Sequence, residues 1–164
     1  MPISHRFAPC LWFDDQAEEA ANFYISIFKN SRIVSISRYS DVGQETHRRP
    51  PGSVMTVAFE LDGLPFTALN GGPIFKFNEA ISLQIYCANQ EEVDHYWNSL
   101  TAGGQEQPCG WLKDRFGVSW QVIPTVLGEM LSDKDPEKAK RAVGAMLQMG
   151  KIDIRRLEQA FAGR

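Results

Sequence analysis

The residue types that most often ligate metals or act as nucleophiles are few in this chain and far apart. The complete set is Cys10, Cys87, Cys109, His5, His47 and His95. No CxxC pair and no zinc-type spacing of cysteine and histidine occurs among them. We expect the thiols to be reduced and buried in apolar strands, because free cysteine is usually a small core side chain.

Two short clusters of charged residues are candidates for acid–base chemistry. Asp14 and Asp15 lie where a predicted strand meets a helix, and helix capping accounts for them. Lys113 and Asp114 lie at a turn, where a fixed ion pair and an acid–base pair are both consistent with the sequence. Neither cluster belongs to a Ser-His-Asp order, a paired-carboxylate site or a phosphate-binding loop. The sequence therefore assigns no catalytic residue and leaves open whether the protein is an enzyme.

A third set of residues could bind a small molecule without reacting with it. Ser82, Gln84 and Tyr86 share one face of a predicted strand, and Ser119 and Gln121 share one face of another. We expect the opposite, apolar faces to pack on helices, which leaves a polar concave face for a ligand. The predicted ligand-binding residues are Trp12, Gln84, Tyr86 and Gln121.

These predicted binding residues have structural alternatives. Trp12 could be a core residue whose indole N–H needs a partner. Gln84 and Gln121 could hydrogen-bond to each other across the sheet, which would satisfy both amides. Trp111 and Trp120 are predicted to lie in the core. The sequence does not decide between ligand contact and internal pairing.

The composition is that of a folded globular protein. The 164 residues are 43% hydrophobic and 23% charged, which argues against disorder. The net charge of −3 argues against a broad nucleic-acid-binding face. No apolar run approaches the ~20 residues of a membrane span, and the N-terminus lacks the layout of a secretion signal. We expect a cytoplasmic protein without nucleic-acid or membrane partners.

A weak internal duplication organises the chain. The segment Glu18–Tyr24 (EEAANFY) matches Glu91–Trp97 (EEVDHYW), and a β-rich run precedes each copy. Periodicity and turn signals predict the order β-α-β-β-β, used twice. The first copy is predicted as strand Phe7–Phe13, helix Gln16–Phe28 capped by Asp15, and strands Arg32–Tyr39, Val54–Leu61 and Phe66–Leu69. The second is predicted as strand Ile81–Cys87, helix Glu91–Thr101, and strands Gln105–Gln107, Cys109–Lys113 and Val118–Ile123.

The C-terminal tail is predicted to be helical. Asp135 and Pro136 are a helix cap and a first-turn proline, and Asp153 can cap a last short helix. The predicted organisation is a first module at 1–72, a second module at 73–124 and the tail at 125–164, forming one structural unit. The lysines and arginines of the tail are interpreted as a solvated helix face.

Two such modules, joined by the break NGGP (70–73), resemble the vicinal oxygen chelate superfamily, which includes glyoxalase I, extradiol dioxygenases, and fosfomycin and bleomycin resistance proteins. Three segments resemble its PhnB-like branch, which carries the label 3-demethylubiquinone-9 3-methyltransferase. They are APCLWFDDQAEEAANFYISIFKNSRI, NGGPIFKFNEAISLQIYCANQEEVDHYWNSL and WLKDRFGVSWQVIP. The resemblance implies an α+β fold in which tandem βαβββ modules form a cupped mixed sheet (the glyoxalase-like fold), followed by a helical C-terminal tail.

The resemblance also implies where a metal would bind. Metal-dependent members place His or Glu ligands on the first and last strands of each module, positions that correspond here to Ala8, Ser82 and Gln121. The last strand of the first module, 66–70, contains no carboxylate or imidazole. Neutral oxygens are poor ligands for a divalent transition metal. We therefore predict no metal and no other cofactor.

The predicted function is that of a PhnB-like protein that binds a small aromatic or amphipathic molecule in the cupped sheet without a metal. Two alternatives stay open. One is a metal-dependent lyase, isomerase or dioxygenase of the same superfamily. The other is the methyltransferase of the branch label, which is disfavoured because the chain has no Rossmann-type Gly-rich turn between strand and helix.

We also expect a two-fold homodimer. A cupped sheet leaves strand edges that proteins normally cover or pair, and closed two-fold symmetry is the commonest outcome for soluble oligomers. The tail helices are too short to be stable alone, so their apolar stripes are expected to bury on a partner subunit. The stripe residues are Val143, Met146, Leu147, Leu157 and Phe161. The alternative is that the tail folds back on its own chain.

Overall fold

The computed structural model describes residues 5–164. The chain forms two compact units whose boundary lies between Lys76 and Phe77. Each unit contains one βαβββ module, and the second unit also contains the C-terminal helices. No helix among residues 5–164 combines the length and the apolar character needed to cross a bilayer.

The first unit contains a four-stranded mixed sheet in the order β1-β4-β3-β2. Its first strand pairs in parallel with its last, and the other pairs are antiparallel. The elements are β1 (Cys10–Phe13), α1 (Ala17–Ile27), β2 (Arg32–Arg38), α2 (Gln44–His47), β3 (Val54–Leu61) and β4 (Leu64–Asn70). The one-turn helix α2 lies in the connection between β2 and β3.

The second unit repeats this topology in a four-stranded sheet of order β5-β8-β7-β6. The sheet elements are β5 (Leu83–Cys87), α3 (Gln90–Thr101), β6 (Gln105–Glu106), β7 (Trp111–Lys113) and β8 (Ser119–Pro124). The C-terminal helices are α4 (Thr125–Leu131), α5 (Pro136–Met146) and α6 (Ile154–Phe161). The predicted α+β fold with tandem βαβββ modules and a helical tail is confirmed.

Each sheet packs one face against the helix of its own module. In β3, Val57, Phe59 and Leu61 are buried, and the residues between them are only partly covered. Helix α1 faces its sheet with small alanines and with the fully buried Tyr24. We call the sheet face opposite the helix the open face of that module.

The cap predicted for α1 is wrong. Asp15 does not cap the helix, because Gln16 holds the N-cap position without a side-chain hydrogen bond. The Ala17 N–H donates instead to Asn70 Oδ1 on β4, 2.8 Å away. A local cap is found in the second module, where Asn89 accepts the Glu92 N–H at 3.0 Å.

The tail buries most of its apolar residues against its own chain. Helices α4, α5 and α6, with the connection between α5 and α6, form a core of Leu127, Met130, Ala142, Met149, Ile152 and Leu157. Met146 and Phe161 pack on this core. Backbone hydrogen bonds from Cys109 to Met149 (2.7 Å) and from Gly110 to Gly150 (2.8 Å) join the tail to its module. Leu157 is thus buried, and Met146 and Phe161 are partly buried, within the chain itself, whereas Leu147 stays exposed. Burial of the remaining stripe on a partner subunit stays a prediction. The caps at Asp135 and Asp153 are confirmed.

The cysteines only partly match the prediction of buried thiols. Cys87 is fully buried, whereas Cys10 is exposed on the open face of the first module and Cys109 is half-buried. Cys109 lies in a turn with a positive φ of 63° rather than in a strand. The apolar residues around it in sequence therefore did not predict its backbone correctly.

Candidate functional site

Strand alternation places the predicted residues of the second module on its open face. Gln84 and Tyr86 are exposed, while Ile85 and Cys87 alternate with them and are buried. On the neighbouring strand, Gln121 is half-buried and stands directly opposite Gln84 in the parallel register. Three of the four predicted binding residues are thereby brought together.

These side chains form a continuous hydrogen-bonded row. The Tyr86 hydroxyl donates to Gln84 Oε1 at 3.0 Å, and Gln84 Nε2 donates to Gln121 Oε1 at 3.3 Å. Gln121 Nε2 then donates to Ser82 Oγ at 2.7 Å. We call Tyr86, Gln84, Gln121 and Ser82 the amide ladder. Each glutamine uses its carbonyl oxygen and one amide N–H within the ladder, which is the internal pairing that the sequence left open.

The amide ladder can reverse its direction of donation. Each carboxamide carries both donors and an acceptor, and each hydroxyl can donate or accept. Turning the amides of Gln84 and Gln121 over would let Gln84 donate to Tyr86 and Ser82 donate to Gln121. The row can therefore offer either a donor or an acceptor to a molecule lying on it.

Strand β7 contributes the residues of the open face that lie next to those of β8. Trp111 pairs in register with Gln121, and Lys113 pairs with Ser119. Trp111 is half-buried, unlike Leu112 and Trp120, which are buried on the helix side. The prediction of a core position is confirmed for Trp120 and wrong for Trp111, whose strand parity places it beside the amide ladder.

Lys113 and Asp114, for which the sequence left an ion pair and an acid–base pair open, contact different partners. Asp114 is buried beneath the β7–β8 turn, where it accepts the N–H groups of Phe116 (2.9 Å) and Val118 (3.1 Å). It also accepts the indole N–H of Trp120 at 2.8 Å. A carboxylate held by these donors has a structural role in the turn. Lys113 forms an ion pair with a different residue.

That partner is Glu79, which the sequence analysis did not identify. Lys113 Nζ lies 2.5 Å from Glu79 Oε1, and Gln107 Nε2 donates to the same oxygen at 3.4 Å. The hydrogen bond from Lys113 is the main reason why the pKa of Glu79 lies below its ordinary value. No local sequence signal marks this cluster, because Glu79 and Gln107 are 28 residues apart.

Ser119 presents a buried hydroxyl next to Lys113. Its exposed fraction is 1%, and its Oγ has no hydrogen-bond partner among residues 5–164. A buried unpaired hydroxyl costs roughly 1–3 kcal/mol, so such groups are uncommon. By strand parity this hydroxyl lies on the same side of β8 as Gln121.

Trp12, the fourth predicted residue, belongs to the first unit. It is half-buried on β1, and its indole N–H donates to the Gly72 carbonyl at 2.9 Å. The Phe75 ring contacts it edge-on, with ring centroids 4.9 Å apart. A Cβ added at Gly71 would lie within 2.1 Å of the Trp12 ring, so this glycine is required for the close approach. The indole N–H thus has the internal partner that a buried tryptophan needs.

The positions that correspond to metal ligands do not fit a divalent transition metal. Ser82 and Gln121 offer neutral oxygens that already accept hydrogen bonds, Ser82 Oγ from Gln121 Nε2 and Gln121 Oε1 from Gln84 Nε2. Ala8 precedes β1 without a donor side chain. Such metals favour imidazole, carboxylate or thiolate ligands. In the described part of the chain, no three His, Cys, Asp or Glu side chains gather into a potential metal site.

Comparison with known proteins gives a family match. Residues 5–123 match the family model described as 3-demethylubiquinone-9 3-methyltransferase. The PhnB protein of Bacillus cereus, described as a putative 3-demethylubiquinone-9 3-methyltransferase, is 34% identical over 74% of this chain and 100% of its own, with a TM-score of 0.66. No curated protein matches the chain.

Two more distant structures show the fold alone. Protein PA1353 of Pseudomonas aeruginosa is 19% identical over 74% of this chain and 98% of its own, with a TM-score of 0.58. The fosfomycin resistance protein FosX of Listeria monocytogenes, solved with Mn(II) and sulfate, is 18% identical over 79% and 97%, with a TM-score of 0.53. Together with the family match, the shared topology identifies this chain as a member of the 3-demethylubiquinone-9 3-methyltransferase (PhnB-like) family, with a glyoxalase-like fold.

Proposed function

We propose that this protein binds a small aromatic or amphipathic molecule on the open face of its second module, without using a metal. The observation that carries the proposal is the amide ladder: Ser82, Gln121, Gln84 and Tyr86 form a neutral hydrogen-bonded row on a sheet face that no helix of the module covers. The ladder needs no charged partner, so it suits a neutral polar group such as an amide, phenol or ketone.

The aromatic residues beside the amide ladder support the choice of ligand class. Tyr86 is 64% exposed, and the half-buried Trp111 stands in register with Gln121. An ordinary solvated sheet face carries mostly charged or β-branched polar residues, whereas a binding site combines apolar rings with a few placed polar groups. A planar ligand can stack on the rings while its polar group joins the ladder.

The ladder's internal pairing is compatible with this role. A ligand can break one weak link, such as the 3.3 Å bond between Gln84 and Gln121, and provide a replacement donor and acceptor. Because hydrogen bonds are exchanged rather than lost, their net cost is small. Affinity would then come mainly from the apolar area covered by the ligand.

Calorimetric titration of the full chain with 2-naphthamide and 2-naphthol tests the proposal. We expect binding, and loss of about tenfold or more in affinity for Gln84→Ala with Gln121→Ala, because about 1.4 kcal/mol corresponds to tenfold. Gln159→Ala is the matched control, since Gln159 is exposed on α6 and lies outside the ladder. Equal affinities in all variants, or no binding to the wild type, would refute the proposal.

The family description favours one further candidate, which is methyl transfer. Calorimetry with S-adenosylmethionine tests this candidate, and binding at micromolar affinity would replace the proposal above. Elemental analysis of protein purified without chelators tests the metal-dependent alternative. Stoichiometric zinc, nickel, manganese or iron would overturn the metal-free part of the proposal, whereas substoichiometric metal supports it.

A further inference from the structure

Glu79 reaches across the second module to a distant strand. It precedes β5, yet its carboxylate contacts Lys113 on β7 and Gln107 just after β6. In the sheet order β5-β8-β7-β6, strand β8 lies between β5 and these partners. Lys113 belongs to the open face because Leu112, its neighbour of opposite parity, is buried on the helix side. A carboxylate from the chain itself is therefore seated on the face that we assign to the ligand.

The unpaired Ser119 hydroxyl belongs to the residue that stands opposite Lys113 on β8. The Asp114 N–H donates to the Val118 carbonyl at 2.9 Å, so Lys113 and Ser119 form a non-hydrogen-bonded pair, the kind with the closer side chains. Ser119 Oγ is buried and has no partner among the described residues. We call these three side chains, Lys113, Gln107 and Ser119, the carboxylate seat. They combine an ammonium group, a carboxamide N–H and a hydroxyl that has no partner among the described residues.

We propose that Glu79 occupies the place of a ligand carboxylate, and that the second module binds aromatic carboxylic acids that displace it. This inference rests on the function proposed above and specifies its ligand class. The ligand carboxylate would take the donors of Lys113 and Gln107 and would accept the Ser119 hydroxyl, which Glu79 does not. An ionised carboxyl group can accept about four hydrogen bonds, so one group can satisfy all of these donors.

The ring of such an acid has a place two residues along the strand. Trp111 and Lys113 lie on the same face of β7, and residues two apart in a strand are separated by about 6.8 Å. This spacing suits an aromatic acid whose carboxylate meets Lys113 while its ring covers Trp111. A polar substituent on the far side of the ring would then reach Gln121, the register partner of Trp111.

Displacement of Glu79 is feasible because its side chain is half exposed. Its relative exposure is 49%, against 26% for Lys113, so the carboxylate can swing into water while the lysine stays in place. An internal competitor reduces apparent affinity by the fraction of time that the seat is free. If Glu79 fills the seat about 90% of the time, its removal raises the affinity for an acid about tenfold.

The test compares 2-naphthoate with its neutral analogue 2-naphthamide by calorimetric titration of the full chain. We expect Glu79→Gln to raise the affinity for 2-naphthoate about tenfold and to leave that for 2-naphthamide unchanged. Lys113→Met, which keeps the apolar stem beside Ser119, should lower 2-naphthoate affinity at least tenfold in both backgrounds. Glu137→Gln is the matched control, because it breaks a similar exposed ion pair with Lys140 on α5.

The outcomes separate this inference from the function on which it rests. If 2-naphthamide binds but Glu79→Gln leaves 2-naphthoate affinity unchanged or lowers it, the Glu79 proposal is overturned and the binding function stands. If neither compound binds the wild type or Glu79→Gln, both proposals fail. Thermal unfolding of every variant checks that the fold is kept, and Ser119→Ala provides a second substitution at the seat, with an expected loss of affinity for 2-naphthoate alone.

Discussion

The two modules share one topology and present chemically different open faces. The register pair Gln84 and Gln121 of the second module corresponds to Cys10 and Thr67 of the first. In the first module, the open face carries hydroxyl contacts, such as the 2.5 Å pair of Ser37 and Thr56, and an edge ion pair of Arg32 and Glu60. The two modules thus share backbone positions, and among residues 5–164 the connected row of amides is found in the second module.

The modules also differ in the interactions that stabilise their hairpin turns. The first closes its β3–β4 hairpin by backbone conformation, with Asp62 and Gly63 at φ 47° and 78°. The second closes the β7–β8 hairpin around the buried carboxylate of Asp114. Local backbone preference therefore closes the hairpin of the first module, whereas a buried side chain closes that of the second.

The largest expected difference concerns these hairpins. Asp114→Ala removes the acceptor for two backbone N–H groups and the Trp120 indole, all in a buried turn, and should lower the free energy of unfolding by about 3 kcal/mol. Asp62→Ala keeps its hairpin and should cost less than about 1 kcal/mol, the penalty of alanine at positive φ. Urea denaturation of both variants measures this. Equal losses would remove the distinction between the hairpins.

The helix ends give the next largest contrast. Asn70→Ala leaves the Ala17 N–H without its acceptor and the Val54 carbonyl without the Asn70 amide, so we expect a loss of about 2 kcal/mol. Asn89→Ala removes only a local cap and should cost about 1 kcal/mol. The same denaturation series applies, and a greater loss for Asn89→Ala than for Asn70→Ala would contradict the account of α1.

Cysteine reactivity sharpens the comparison of the two faces. Cys10 is exposed on the first open face, and partial burial raises the pKa of its thiol to a smaller extent than that of Cys87. Burial raises the pKa of Cys87 to about 12, with a further contribution from the charge of Glu92. Because the thiolate is the reactive form, we expect iodoacetamide at pH 8 to modify Cys10 in the native protein and Cys87 only after unfolding. Peptide mass mapping over time shows the order. Modification of Cys87 before Cys10 would show that the buried and exposed faces of β1 or β5 are assigned incorrectly.

Association of two copies is the prediction that we expect to change the structure of each chain least. Strands β1, β2, β5 and β6 each have one paired neighbour in their sheets, and open edges favour pairing between chains. We propose a two-fold homodimer through the modules, with the tail no longer required as the contact. Light scattering at micromolar concentration should give a mass of twice 18.5 kDa. A mass near that of one chain would exclude the dimer.

Local signals predicted the fold well. The strand Val54–Leu61 was predicted correctly because strand alternation acts over a few residues. Strand alternation in β5 and β8, together with the repeat, also predicted correctly that Gln84 and Gln121 lie on one face. The same reasoning assigned Asp135 and Asp153 as helix caps.

Contacts between distant segments could not be predicted in this way. The acceptor that satisfies the N-terminus of α1 is Asn70, 53 residues from Ala17, so the nearby Asp15 was the wrong choice. Glu79 and Lys113 meet only because the chain folds across the sheet, and the sequence around each gives no sign of it. Trp111 was wrongly predicted to lie in the core because its apolar residue type was given more weight than its position in the strand alternation.

The central claim is that the second open face, and not the first, binds the ligand. Nuclear magnetic resonance of the isotope-labelled full chain, titrated with 2-naphthamide, tests it at the residues themselves. The account predicts saturable shifts of the side-chain amide signals of Gln84 and Gln121, while the backbone signals of Cys10 and Thr67 stay in place. Shifts confined to the first module, or amide signals of Gln84 and Gln121 that do not move at saturating ligand, would contradict it.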